Sequence, residues 1–338
     1  MNDSPSLADR TVLVTGADGF IGSHVVEAVL AAGGRVRAFC LYNSFGTHGW
    51  LDGSEAFAAA VADGRAEIVF GDVRDAEFVD SAVAGADVVL HLAALIAIPY
   101  SYVAPRSYVD TNVTGTLNVL EAVRRHGTPR LVHTSTSEVY GTPESVPITE
   151  THPLRGQSPY SATKIAADKL CEAFALSFGT PVVTLRPFNT FGPRQSARAV
   201  IPTVLGQLLA GARELRLGAL SPRRDFTFVT DTCAGFVRAA TAELDPGEVV
   251  QLGTGTTYSI QEVVELCMDV TGQRAEVITE EERVRPAGSE VEVLLSDPTR
   301  AAARLGWAPT VTFADGLRFT AEWLARRVDA ASAGRYQR

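Results

Sequence analysis

Closely spaced cysteines, a basic surplus and long apolar runs are all missing from this chain, and each absence removes a class of protein. Its four cysteines, Cys40, Cys171, Cys233 and Cys267, stand far apart, with no paired spacing for a zinc site or a redox motif. They read as buried thiols in a reducing cytoplasm, and no metal is expected. The net charge of -9 argues against a nucleic-acid partner, which would need a basic face. No run of eighteen uncharged apolar residues occurs. The longest apolar run, Val88 to Ile98, contains His91 and stops at Pro99, which predicts a buried strand. The opening, Met1 to Arg10, is polar and lacks the apolar segment of a signal peptide. There is no internal repeat and no low-complexity linker. The stretch after Arg327 reads as a solvated helix end. A cytoplasmic protein with no membrane partner is the expectation.

What is present is an ordinary globular composition, 46% hydrophobic and 20% charged, over 338 residues, enough for a large core and two lobes. Thr11 to Thr15 is a β-branched run that stops at Gly16. Gly16-Ala17-Asp18-Gly19-Phe20-Ile21-Gly22 follows, then an amphipathic helix to about Ala32. Glycines so spaced between a first strand and a first helix allow a tight turn and close backbone approach to a pyrophosphate. The helix start supplies free N–H groups to the phosphates. The second strand, Val36 to Leu41, lacks the carboxylate expected at its end and carries no Arg there, so Asn43 or Ser44 is the candidate for the adenosine ribose. NAD is therefore preferred to NADP by a narrow margin.

The alternation continues through Glu67 to Phe70, ending in Gly71-Asp72-Val73, with Asp75 placed to cap a helix. Asp87 to Ala94 predicts another strand, a long helix runs from Pro105 to Arg125, and Leu131 to Thr134 is a further strand. This order predicts a doubly wound parallel α/β sheet. Gly16, Asp72, Ala93 and Ser135 fall at strand ends and should line one crevice. The last strand opens Thr134-Ser135-Thr136-Ser137-Glu138-Val139-Tyr140-Gly141, and Ser158-Pro159-Tyr160-Ser161-Ala162-Thr163-Lys164 starts a helix. Tyr160 and Lys164 are one turn apart on one face, and the ammonium is expected to lower the phenol pKa toward that of a base. After Arg186 the alternation breaks down. Arg224 is the leading candidate to clamp a diphosphate, with Arg194, Arg198 and Arg285 behind it.

GADGFIG (Gly16 to Gly22), GDV (Gly71 to Val73), HLAA (His91 to Ala94), TSTSEVYG, SPYSATK, RPFNTFGPR (Arg186 to Arg194) and RRDFTFV (Arg223 to Val229) together give the chain its resemblance to an extended short-chain dehydrogenase/reductase acting on nucleotide sugars. The resemblance implies a Rossmann domain over 1–186, with 229–254 returning to it, and a smaller mixed α/β substrate lobe over 187–330. It implies cofactor contacts from Gly16, Gly19, Phe20, Ile21, Gly22, Asn43, Asp72, Val73, Leu92, Ala93, Ala94 and Ser135. Tyr160 would take the proton of the sugar 4-hydroxyl, Lys164 would hold the nicotinamide ribose, and Thr136 the 4-oxygen. Asn189 and Val200 would join Arg194, Arg224 and Arg285 in holding the substrate. Glu138, two residues after Thr136, matches the carboxylate by which 4,6-dehydratases remove the C5 proton. The dTDP-glucose enzymes have an Asp between these two; Ser137 stands here, as in GDP-mannose dehydratases and UDP-glucuronate decarboxylases. The aromatic loop Leu41 to Asp52, the run Gln195 to Thr203 and Arg283 to Val291 are most similar to NAD-dependent UDP-N-acetylglucosamine 4,6-dehydratases of the legionaminic-acid type. A homodimer joined through the helices Pro105–Arg125 and Tyr160–Phe178 is implied as well. A UDP-glucuronate decarboxylase or a 4-epimerase is the alternative, and a non-catalytic NAD-binding scaffold the alternative of another class.

Overall fold

The structure, a computed structural model, describes residues 6–327. Residues 1–5 of the polar opening, and the stretch from 328 onward with its expected helix end, lie outside the described residues. Six strands come first: β1 (Thr11–Thr15), β2 (Arg35–Leu41), β3 (Ala66–Gly71), β4 (Val88–His91), β5 (Arg130–Thr134) and β6 (Val182–Pro187). Then follow β7 (Asn189–Phe191), β8 (Glu214–Leu217), β9 (Arg223–Phe228), β10 (Val249–Leu252), β11 (Thr257–Ser259), β12 (Glu276–Thr279) and β13 (Val293–Leu294). The main sheet has the order β3-β2-β1-β4-β5-β6-β10 and is parallel throughout. β10 enters it from the second half of the chain by pairing with β6.

Period-two alternation within buried strands divides the core. Val12, Val14, Val88, Leu90 and Val132 pack to one side with Val25, Val26 and Val29 of the first helix, Phe20–Ala31. Leu13, Val89 and Leu131 pack to the other with Val119 and Val123 of the helix Gly115–His126. Each such side chain contributes roughly 1.5–3 kcal/mol of burial. The sheet is thus covered on both faces, as a doubly wound fold requires.

Two segments depart from the sequence expectation. β4 ends at His91 and not at Ala94, because the Thr15 hydroxyl accepts the N–H groups of Leu92 and Ala93, both at 3.1 Å, and turns the chain out of the ladder. The long helix expected over Pro105–Arg125 is a short helix, Pro105–Tyr108, a π-helical turn, Val109–Thr114, and the helix Gly115–His126. Asn112 in that turn bonds Leu95 N at 2.8 Å and Leu95 O at 2.9 Å. Asp75 caps the helix Ala76–Val83 by accepting from Phe78 N, as its position suggests.

The second lobe holds β7, β9, β11 and β13 in one sheet and β8 with β12 in another. Its core stacks Phe226 on Phe313 at 5.3 Å between centroids, with Phe191 edge-on to Phe313 at 5.1 Å. Asp225, fully buried, ties β9 to two other segments. It accepts from Thr254 N at 2.8 Å, Gly255 N at 3.0 Å and Ser296 Oγ at 2.5 Å. The helix Val229–Thr241 leaves this lobe and packs on the first helix. All four cysteines are buried free thiols.

Candidate active site

The glycine turn lies flat against the end of β4. Gly16 has φ +68°, and a Cβ there would stand 2.9 Å from Ala93 N; a Cβ on Gly22 would stand 2.0 Å from Gly16 O. Only residues without side chains let helix, turn and strand approach so closely. Helix Phe20–Ala31 starts with no side-chain cap and no acidic residue in its first turn, so its N–H groups are open to an anion. Ala93 and Gly16 are therefore brought together, with Leu92 beside them through Thr15.

Asn43 sits in the loop after β2. Its carboxamide bonds Thr47 O at 2.8 Å, Phe45 N at 3.1 Å and Thr47 N at 3.3 Å, so it shapes its own loop. The end of β2 is approached by Asp18 of the glycine turn. Asp18 is hydrogen-bonded to the Leu41 backbone, and burial pushes its pKa up. Asp72 is ion-paired with Arg74, which holds its carboxyl below the usual range, and Val73 is held by Asn118 through its carbonyl at 2.9 Å.

Beyond β5, Thr136 caps the 3-10 turn Ser137–Tyr140 by accepting from Glu138 N at 3.2 Å. The helix Pro159–Phe178 starts from a capping box of Ser158 and Ser161. This places Tyr160 beside Thr136, in a small apolar cluster with Ile98 and Tyr108. Lys164 is buried and donates to Thr134 O at 2.5 Å. Tyr160 departs from expectation: its pKa is raised, first by burial, with Glu138 adding to the rise and the Thr136 hydrogen bond opposing it. Lys164 acts on the backbone carbonyl, and burial outweighs any help it gives the phenolate.

Glu138 also lines a cavity of about 590 Å³ whose walls include Asn189, Arg198, Val200, Arg224 and Arg285. Arg224 is 6% exposed and donates to Glu290 Oε1 at 3.1 Å. Burial lowers its pKa, the charges of Glu138 and Glu290 raise it, and Arg285 lowers it further. Arg285 Nη1 lies 3.6 Å from the same Glu290 oxygen. Arg194 is not part of this wall. With φ +70° it turns to the first helix, bonding Glu27 Oε1 at 2.7 Å and Ser23 Oγ at 3.2 Å. Gln195 and Glu290, which the sequence offered only inside longer runs and without a role, also line the cavity, as does Tyr102, which it did not single out. Among the described residues no cluster of His, Cys, Asp or Glu suits a metal ion, and no helix is long and apolar enough to cross a membrane.

A parallel sheet with a glycine turn at its first strand end, and a buried Tyr/Lys pair beside an arginine-lined cavity, define a dinucleotide-binding fold of the Rossmann type. A family profile described as GDP-mannose 4,6 dehydratase matches residues 13–320. A dTDP-glucose 4,6-dehydratase of Streptomyces antibioticus is 34% identical, over 92% of this chain and 91% of that one. The structure is similar to a dTDP-glucose 4,6-dehydratase from Streptomyces venezuelae solved with NAD bound (TM-score 0.84, 30% identity, 94% of this chain and 97% of that one). It is also similar to a UDP-N-acetylglucosamine 4-epimerase from Methanobrevibacter ruminantium M1 in complex with UDP-N-acetylmuramic acid (TM-score 0.84, 27% identity, 95% and 99%). The chain belongs to the GDP-mannose 4,6-dehydratase family of extended short-chain dehydrogenases/reductases, enzymes of nucleotide-sugar chemistry.

Proposed function

We propose that this enzyme is an NAD-dependent 4,6-dehydratase that converts UDP-N-acetylglucosamine to UDP-2-acetamido-2,6-dideoxy-4-keto-hexose. The observation that carries the reading is the position of Glu138, which lines the same cavity as Arg224 and is bonded through its N–H to Thr136, the residue beside the Tyr160 phenol. A carboxylate so placed stands between the oxidising pair and the groups that would hold a diphosphate. The Gly16–Gly22 cradle and the uncapped helix start fit a pyrophosphate, with Leu92, Ala93 and Ala94 beside it. Asp18 at the end of β2 disfavours a 2′-phosphate, which supports NAD over NADP.

Bound NAD supplies the hydride acceptor for C4 and later the donor for C6. Tyr160, as phenolate, takes the proton of the 4-hydroxyl while the Thr136 hydroxyl holds the 4-oxygen. The ketone acidifies the proton on C5, and Glu138 removes it as general base. The C6 hydroxyl then leaves as water with that proton handed on by Glu138, because Ser137 is a poor acid; as hydride returns to C6 a proton is delivered to C5, which balances the one Tyr160 took from the 4-hydroxyl. Arg224 and Arg285 grip the diphosphate, while Asn189 and Val200 line the approach. The enzyme is further proposed to work as a cytoplasmic homodimer paired along the helices Gly115–His126 and Pro159–Phe178, where Leu176 is 81% and Phe178 54% exposed.

The test is mass spectrometry on separate incubations with nucleotide sugars. A 4-keto product lighter by one water from UDP-N-acetylglucosamine supports the reading. A mass-neutral 4-epimer would replace it with the epimerase reading that the Methanobrevibacter neighbour favours, and carbon dioxide from UDP-glucuronate with the decarboxylase.

A further inference from the structure

Tyr160, Lys164 and Asp168 follow one another at intervals of four on one helix, so they share a face. The third has no part in the steps above. Its buried carboxylate accepts from Ser135 Oγ at 2.8 Å and from Arg186 Nε and Nη2 at 3.1 and 3.0 Å, and meets His133 Nε2 at 3.2 Å. Ser135 stands between Thr134, whose carbonyl takes the Lys164 ammonium, and Thr136, which bonds the phenol. Asp168 therefore grips the middle of the strand end on which both members of the pair lean. Lys164 is 4% exposed, and a fully buried lysine without a nearby anion tends to lose its charge.

We propose that Asp168 is a positioning residue for the oxidation step, keeping Lys164 charged and fixing Thr134–Thr136, with Arg186 as its counter-ion. The proposal rests on the reading of Tyr160 and Lys164 as the oxidising pair. Burial lowers the Lys164 pKa, and Asp168 is the larger of the two groups that push it back up. The surrounding groups come from several elements. His91 of β4 and His133 of β5, with rings 5.8 Å apart, are both pushed down by burial. Cys171, further along the helix, is pushed up by burial. Tyr140, which meets Arg186 Nη1 at 3.1 Å, is pushed up as well. At Tyr160 the neighbours are Tyr108 and Glu138.

Lys164 and Lys169 are the only lysines in the sequence, and Lys169 is an exposed partner of Glu172. The chain labelled with carbon-13 at lysine Cε and loaded with NAD therefore gives two signals, one of them an internal control. On a pH titration, Asp168→Asn should move the Lys164 midpoint to lower pH and leave Lys169 in place, and Asp168→Glu should return it toward the wild-type position. An unmoved Lys164 midpoint overturns the proposal. Should Asp168→Asn not fold, the wild-type signal decides: a charged Lys164 at neutral pH supports the proposal, and a neutral one overturns it. None of these titrations needs a sugar, so failure to turn over any nucleotide sugar sinks the proposed function without touching them.

Discussion

Glu138 faces two ways, and its neighbours define what its loss should do. On the proposed mechanism the Tyr160 hydroxyl and Thr136 remain when Glu138 becomes Gln, so C4 oxidation should be retained while C5 proton removal should not. Glu138→Gln should let reduced cofactor accumulate, seen as its near-ultraviolet absorbance, and lower product formation by roughly 10²–10⁴-fold, the range of a general base. Full product formation by the variant would remove Glu138 from the mechanism. Tyr160 has the opposite bias. Burial raises its pKa, so the reactive phenolate becomes more abundant as pH increases. The single-turnover rate of cofactor reduction should rise through the alkaline range, and Tyr160→Phe should abolish the rise. The same shift bears on stability: the buried phenol stabilises the fold below its unfolded pKa, and that contribution fades as pH rises toward the folded one.

At the scale of elements, the glycine turn is the most exacting piece of local structure. The obstacle to a Cβ at Gly22 is the Gly16 carbonyl oxygen at 2.0 Å, which is backbone and cannot rotate away. Gly22→Ala should weaken NAD binding by about tenfold or more, near 1.4 kcal/mol, measured by titration, and lower the melting temperature. This turn was legible in the sequence because strand, glycines and helix are contiguous, and so were β1, β2, β5 and the capped helices Ala76–Val83 and Pro159–Phe178. Legibility failed where distant residues decide. β4 stops early because Thr15 takes its N–H groups. The helix after Pro105 is interrupted where Asn112 reaches Leu95. Asp18 reaches the end of β2 from another turn, and Arg194 carries the charge expected in the cavity but reaches the first helix. Of the candidate site, Glu138, Asn189, Val200, Arg224 and Arg285 do share one cavity, whereas Asn43 and Arg194 have their polar atoms engaged elsewhere.

For the whole molecule, Arg194 joins the two halves of the site. It leaves the segment that runs into the cavity wall and lands on the cofactor helix, where His24 also bonds Pro193 O at 3.1 Å. Burial pushes the Glu27 carboxyl up, but hydrogen bonds from Arg194 and Ser54 hold it below its ordinary value. That contribution to stability is present above the unfolded carboxylate pKa and is lost as pH falls through the folded one. Arg194→Ala leaves Glu27 without its cation and frees the segment that carries Gln195, Arg198 and Val200. The cost is about 1–2 kcal/mol for partly buried charged hydrogen bonds, read as a lower denaturation midpoint at neutral pH and a smaller difference in acid. Because the bond spans the first helix and the segment that runs into the cavity wall, the variant should, on the proposed function, weaken binding of both NAD and the nucleotide sugar, measured separately by calorimetry. A variant that loses affinity for the sugar alone would place Arg194 in the cavity after all, and one that loses neither would reduce the contact to a structural clasp.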